Sequence, residues 1–287
     1  MSAPLYGLVE AGGTKFVLGV ATGKDDIRAT ARIPTTTPRE TMRAMCDWFV
    51  NQGPLTAVGV ASFGPLDLDP ASATWGHITA TTKPHWSQTD IAGPLKAACH
   101  CPVVINTDVG GAALAEYLWG AGQGQKVMLY FTIGTGIGGG AIIDGQILHG
   151  LSHPEMGHIR LPRHADDRDF PGICPFHGDC LEGLASGPAI KARWGMSLSE
   201  LPEEHPAHDI IAWYLAQTVV TMQAILEPGR IIIGGGVMAT PGLMDRVRTE
   251  AFALGNAYSR GDPREIVCLP GLGDQAGLLG ALALVSG

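Results

Sequence analysis

The stretch Val127-Met128-Leu129-Tyr130-Phe131-Thr132-Ile133-Gly134-Thr135-Gly136-Ile137-Gly138-Gly139-Gly140 sits near the middle of the chain. Its first seven residues form a continuous apolar run of strand type, and residues 134–139 match the pattern G-x-G-x-x-G. That pattern marks a dinucleotide site only when a helix follows at once, with its N-terminus at the pyrophosphate. Here Ala141-Ile142-Ile143-Asp144-Gly145-Gln146-Ile147-Leu148 follows instead, and Asp-Gly between two apolar runs signals a hairpin. The element therefore reads as strand, glycine turn, strand, and the dinucleotide fold fails on context. No P-loop of the form G-x-x-x-x-G-K-[ST] is present either.

The same arrangement occurs earlier in the chain. Leu5–Val9 and Phe16–Val20 are strand-like runs joined through Glu10-Ala11-Gly12-Gly13-Thr14-Lys15, and Ile231–Ile233 leads into Gly234-Gly235-Gly236. Together these turns offer glycine amides, the hydroxyls of Thr14, Thr132 and Thr135, and the cation of Lys15. Amides converging on one point form an anion nest. Any one cluster alone is better explained by a tight structural hairpin; three such turns point to nucleotide phosphates. The repeat suggests two halves related by duplication, with a cleft between them.

Other signals fill in an α/β chain. Thr37-Pro38-Arg39-Glu40 is a capping box opening a helix to about Val50. Ala57–Ser62 and Val103–Ile105 read as buried strands separated by a helix over Asp90–Cys99, and a further helix covers Val109–Gly120. Asp209–Leu226 is a long apolar helix and Asp274–Val285 a closing one. The expected division is residues 1–115 closed by a C-terminal helix at 270–287, and residues 116–269 carrying an irregular loop at 149–182.

Of 287 residues, 40 are glycine, about 14% and roughly twice ordinary usage. The hydrophobic fraction of 45% supports a sizeable core, so disorder is not expected. Net charge is −8, which disfavours nucleic acid and anionic membrane surfaces as partners. No run of 18 apolar residues predicts a membrane span, and Met1 to Glu10 lacks the features of a signal peptide. A cytoplasmic protein with reduced thiols is expected, so the six cysteines are free or bind metal.

Asn106-Thr107-Asp108 lies between a strand and a helix, where α/β folds place their chemistry. Asp108 is a candidate general base for phosphoryl transfer, or the N-cap of the helix beginning at Val109; the sequence admits both. Cys174-Pro175-Phe176-His177-Gly178-Asp179-Cys180 places three zinc ligands within seven residues. His158 is a fourth candidate, with His149, His153 and His164 as competitors. Four protein ligands leave no open position, so the metal reads as structural.

Glu10-Ala-Gly-Gly-Thr-Lys15, Ile133-Gly-Thr-Gly-Ile-Gly-Gly-Gly140, His153-Pro-Glu-Met-Gly-His158 and Cys174…Cys180-Leu-Glu-Gly183 together resemble the ROK sugar kinases, and within them bacterial fructokinases. The resemblance runs over essentially the whole chain. It implies the actin-like ATPase (ribonuclease H-like) fold, two α/β domains around a cleft that takes ATP and a sugar. It implies transfer of the γ-phosphate to a hexose hydroxyl, most of all fructose to fructose 6-phosphate, with Asp108 as the base. Asn106, Thr107, Glu155, His158 and Glu182 would bind the sugar. Gly12, Gly13, Thr14, Lys15, Thr132, Gly134, Thr135, Gly136, Pro188 and Gly234, Gly235, Gly236, Val237 and Met238 would meet ATP with its Mg²⁺. His158, Cys174, His177 and Cys180 would hold Zn²⁺, and a homodimer is implied. Glu10 and Thr107 stand where many ROK glucokinases carry Asp and Asn, changes shared with fructokinase-like members. Gly110 replaces the usual Asn. A broader hexokinase acting on mannose or glucose, and a non-catalytic sugar-binding regulator, are the alternative functions. The nine residues before Glu10 are too few for a repressor's DNA-binding helices.

Overall fold

Short apolar strands ended by glycine turns, alternating with capped helices, give two α/β units. The computed structural model describes residues 3–287. In the first unit β1 (Tyr6–Ala11), β2 (Lys15–Gly23) and β3 (Asp26–Pro34) form an antiparallel ribbon. Helix α1 (Pro38–Val50) follows, with Thr37 accepting the Glu40 amide and Pro38 at its first position, as its capping box predicts. Next come β4 (Ala57–Ser62), a small pair β5 (His77–Ile78) and β6 (Thr89–Asp90), α2 (Ala92–Cys99), β7 (Val103–Thr107) and α3 (Asp108–Trp119).

The second unit holds β8 (Val127–Ile133), β9 (Ile137–Ile143), β10 (Gln146–Ile147), α4 (Leu181–Ala185), α5 (Gly187–Trp194), α6 (Ala207–Leu226), β11 (Arg230–Gly234), α7 (Leu243–Gly255), α8 (Pro263–Ile266) and β12 (Val267–Cys268). Helix α9 (Ala276–Ser286) returns to the first. The two units comprise residues up to Gly120 with Ile147–His153 and Leu272–Gly287, and Ala121–Gln146 with Pro154–Gly271. Residues 147–153, read from the sequence as part of the second domain, thus group with the first. Their tethers are tertiary: the Leu66 amide donates to His153 Nε2 (2.9 Å) and Ser152 Oγ donates to the Leu66 carbonyl (2.6 Å).

The sheet orders are β3-β2-β1-β4-β7 and β10-β9-β8-β11-β12. In each, the central strand has an antiparallel neighbour on one side and parallel strands on the other. The expected repeat is therefore present as topology, and the architecture is the mixed α/β, actin-like one.

On one face of the first sheet Phe16, Leu18, Val60, Met45, Phe49 and Trp86 form a core. Trp86 is fully buried and its indole N–H donates to the Thr36 carbonyl (2.9 Å). On the other face Leu8, Ala21 and Ala61 meet Leu278, Leu279 and Leu282 of α9. Glycine allows that close approach: a Cβ on Gly59 would collide with the Ala281 carbonyl oxygen, and one on Gly280 would lie 2.7 Å from the Gly111 carbonyl carbon. Gly59→Val should therefore destabilise the fold by about 1–3 kcal/mol or more, read as a lower midpoint in urea; an unchanged midpoint would show that α9 can retreat freely.

Helix α6 has the length and apolar composition of a membrane span. Its Ile211, Tyr214, Leu215, Ala216 and Val219 are nevertheless buried within the second unit.

Candidate active site and metal centre

In the first unit the parallel strands align their C-terminal ends, with Ala11 beside Ser62 and Ser62 beside Thr107. Beyond Ala11 the glycine turn is closed by the Gly12 amide donating to the Lys15 carbonyl (3.0 Å), and is braced by Thr35 Oγ1 donating to the Gly12 carbonyl (2.7 Å). Gly13, Thr14 and Lys15 are exposed. Glu10 lies just behind them, its carboxyl against Gly277 at the start of α9. Burial raises its pKa, with Lys15 and Arg32 opposing.

Beyond β7, the structure separates the two readings of Asp108. The N-cap is Thr107, whose Oγ1 accepts the Gly110 amide (3.0 Å); Asp108 is the first helical residue. Asp108 Oδ1 accepts the adjacent Val109 amide (2.8 Å). Its carboxyl is packed closely by protein, and this desolvation, with repulsion from Glu10, raises its pKa to about 6. A carboxylate poised near neutrality is suited to accept a proton. Asn106 Oδ1 accepts the Thr107 amide (2.8 Å), and a Cβ at position 110 would collide with that oxygen. Gly110 thus makes room for the Asn106 side chain. Asn106 Nδ2 also lies 3.4 Å from His149 Nε2, a neighbour that sequence reasoning had weighed only as a metal ligand.

In the second unit Thr132 pairs with Gly234 across β8 and β11, and the turn Gly134-Thr135-Gly136 follows β8. The Gly134 amide donates to the Gly136 carbonyl (2.9 Å), and the Gly187 amide donates to the Gly134 carbonyl (2.8 Å). Gly235 adopts φ +94, and a Cβ there would lie 2.5 Å from the Ile133 carbonyl oxygen. These contacts gather Thr132, Gly134–Gly136, Pro188 and Gly234–Gly236 at the ends of β8 and β11. Val237 and Met238 have buried side chains, so only their backbone is offered there. Glu182, grouped by resemblance with the sugar contacts, accepts the Ile137 amide through Oε2 (2.9 Å).

The loop after β10 gathers His158, Cys174, His177 and Cys180, with all four ligand atoms within 4.8 Å of one another. His158 Nδ1 lies 3.4 Å from Cys180 Sγ and 3.7 Å from Cys174 Sγ, and His177 Nδ1 lies 3.7 Å from Cys174 Sγ. Zn–S and Zn–N bonds at tetrahedral angles imply edges of about 3.6 Å, so the donor set and its spacing fit zinc. His158 presents its other nitrogen to Glu155, 3.9 Å away, the outer carboxylate common beside metal-bound histidine. The competing histidines are placed elsewhere: His153 on Leu66, His149 by Asn106, and His164 Nδ1 accepting the Asp166 amide.

Sequence reasoning missed the ionic frame behind this loop. Asp167, nearly fully buried, accepts from Tyr214 Oη (2.7 Å) and pairs with Arg193 (3.1 Å), while Arg160 bonds Asp179 (2.6 Å) between two of the candidate ligands. Its signal was the unusual density of Arg and Asp at 160–169, which local pattern alone assigns to a solvated loop.

Comparison with known proteins identifies the family. The sequence profile described as the ROK family matches residues 6–287. A fructokinase of Zymomonas mobilis is 51% identical, over 98% of this chain and 96% of that protein. The structure of a ROK hexokinase from Thermus thermophilus superposes with a TM-score of 0.80 at 26% identity, covering 98% of this chain and 97% of that one. A ROK family glucokinase from Streptomyces griseus, solved in complex with glucose and AMPPNP, gives 0.73 at 25% identity, covering 96% and 97%. With the profile spanning all but the first few residues, and half of all positions shared with a protein of nearly equal length, this chain belongs to the ROK family.

Proposed function

We propose that the protein is an ATP-dependent fructokinase, transferring the γ-phosphoryl group of MgATP to the C6 hydroxyl of D-fructose. The observation that carries the mechanism is Asp108: relieved of capping by Thr107 and raised to about 6, it is ionised at neutral pH yet basic enough to take a proton. It accepts the hydroxyl proton as the oxygen attacks phosphorus. Asn106, Thr107, Glu155, His158 and Glu182 orient the sugar, and the turns at 12–15, 132–136 and 234–238, with Pro188, receive the nucleotide. Backbone amides dominate those turns, so Mg²⁺ accompanying ATP would offset about half of the phosphate charge. Zinc, when bound to His158, Cys174, His177 and Cys180, supplies a structural cross-link.

Fructose is favoured over glucose by Glu10 and Thr107, and by the name of the relative with half its residues in common. A cytoplasmic homodimer belongs to the same reading. Release of ADP with a panel of hexoses tests it: kcat/KM for fructose should exceed that for glucose and mannose by at least about 10-fold, a difference of one well-made hydrogen bond. Equal rates on all three would make the protein a broad hexokinase, and no ADP release with any would make it a sugar-binding regulator.

A further inference from the structure

We propose that Glu182 is a positioning residue for the phosphate-binding turn, which it and Gly187 clamp from one short helical corner. The proposal rests on the assignment of residues 134–136 to ATP. Both ends of the turn are held by the same six-residue segment. The Ile137 amide donates to Glu182 Oε2 (2.9 Å), and the Gly134 carbonyl accepts the Gly187 amide (2.8 Å). Gly136 is shaped to the same contact, since a Cβ there would lie 2.7 Å from Glu182 Oε2.

The need for a clamp follows from composition. A turn of Gly134-Thr135-Gly136 loses more backbone entropy on ordering than other residues would. A side-chain oxygen held 2.9 Å from the Ile137 amide closes the C-terminal end of the turn, so one acceptor can fix it. The bond also settles which amides remain. Gly134 and Ile137 are engaged, and Thr135 and Gly136 are the two turn amides without a protein acceptor among the described residues. Those two are available to a phosphate oxygen. A carboxylate beside a phosphate site would otherwise repel the ligand; directed onto an amide, its charge is partly neutralised.

The clamp also has a support. Glu182 is the second residue of α4, whose N-cap is Cys180. The loop carrying the candidate ligands is pressed onto that helix: the Ile173 amide donates to the Gly183 carbonyl (3.1 Å), and a Cβ on Gly183 would collide with the Gly178 carbonyl oxygen. On the other side a Cβ on Gly157, next to His158, would collide with the Ile137 carbonyl oxygen. Order in the metal loop is thus passed to Ile137 from two directions.

The test is AMPPNP binding by titration calorimetry without sugar, together with hydrogen exchange at the Ile137 amide, on the metal-replete full chain. Glu182→Ala should weaken AMPPNP binding about 10-fold or more and speed exchange at Ile137. Glu182→Gln, which keeps an acceptor oxygen, should stay within about 3-fold of wild type, because a neutral acceptor still closes the bond. Glu182→Asp withdraws the carboxylate by one methylene and should behave like alanine, which keeps the test decisive should the alanine variant fold poorly. A residue that contacts only the sugar would raise the KM for fructose in these variants and leave sugar-free AMPPNP binding and Ile137 exchange unchanged; that result overturns the clamp. Wild-type protein that binds no AMPPNP would overturn the functional reading itself, and the positioning role with it.

Discussion

Asp108→Asn is expected to lower kcat by about 10²-fold or more, because general-base catalysis typically contributes ~10²–10⁴-fold. The substitution keeps shape and an acceptor oxygen for the Val109 amide, and the helix retains its cap at Thr107. Stability should therefore move in the opposite direction to activity. The folded-state pKa of Asp108 is raised to about 6, so the native protein binds this proton more tightly than the unfolded chain does. That stabilisation is fully present below about pH 4, the ordinary aspartate value, and is lost as pH rises through about 6. At pH 7 to 8 the asparagine variant, with no charge to bury, should melt at or above the wild-type temperature, and the difference should shrink below about pH 4. Wild-type kcat should fall as pH drops through about 6, a limb absent from the residual activity of the variant. An asparagine variant with normal turnover would end the assignment of Asp108 as base.

Removing the metal should have the second largest effect, and on structure first. We expect about one zinc per chain, and loss of it when Cys174 and Cys180 are both changed to Ser. Metal free energy is folding free energy at such sites, about 10–16 kcal/mol in small zinc peptides. Here the ionic frame of Asp167, Arg193, Arg160 and Asp179 retains part of the order, so a fall of about 10 °C or more in Tm is a fair expectation for a unit of this size. Because thiolates bind metal only when deprotonated, acid should release it as chelators do. Chelators also strip Mg²⁺, so the discriminating step is restoration: excess Mg²⁺ alone should not return the lost Tm, and zinc should. A doubly substituted protein that melts like wild type, with no zinc in the wild type by elemental analysis, would mean the cluster is misread.

Much of this was legible in local sequence because the decisive features are local. Strand-to-glycine transitions at 11–14, 133–136 and 233–236 are short sequence patterns, at Gly235 (φ +94) with a backbone geometry that few other residues tolerate, and the capping box at Thr37 is a four-residue motif. The candidate ligands Cys174, His177 and Cys180 lie within seven residues of one another. What escaped was tertiary. Strand β3 alternates half-buried and exposed residues, and its Asp26, Arg28 and Arg32 give it the look of a solvated segment; only its pairing with β2 makes it a strand. The choice of Thr107 over Asp108 as cap depends on which side chain turns back toward Gly110, which composition does not encode. The clustering of His158 rather than His149 or His153 with the cysteines depends on where residues 149–153 pack, and they are drawn to Leu66 and Asn106, from 43 to 87 positions away in sequence.

The seat of α9 against Gly59 bears on how the chain is made. Residues 121–271 leave the ribosome before residues 272–287, so the second unit has nearly all of its own chain in hand while the first still lacks a helix. The face carrying Leu8, Ala21 and Ala61, synthesised before the second unit, has to wait for α9, synthesised after it, to cover it. Over that interval a nascent chain presents an apolar sheet face of the kind that chaperones hold and that aggregates seed from. The half that is translated first is thus completed last.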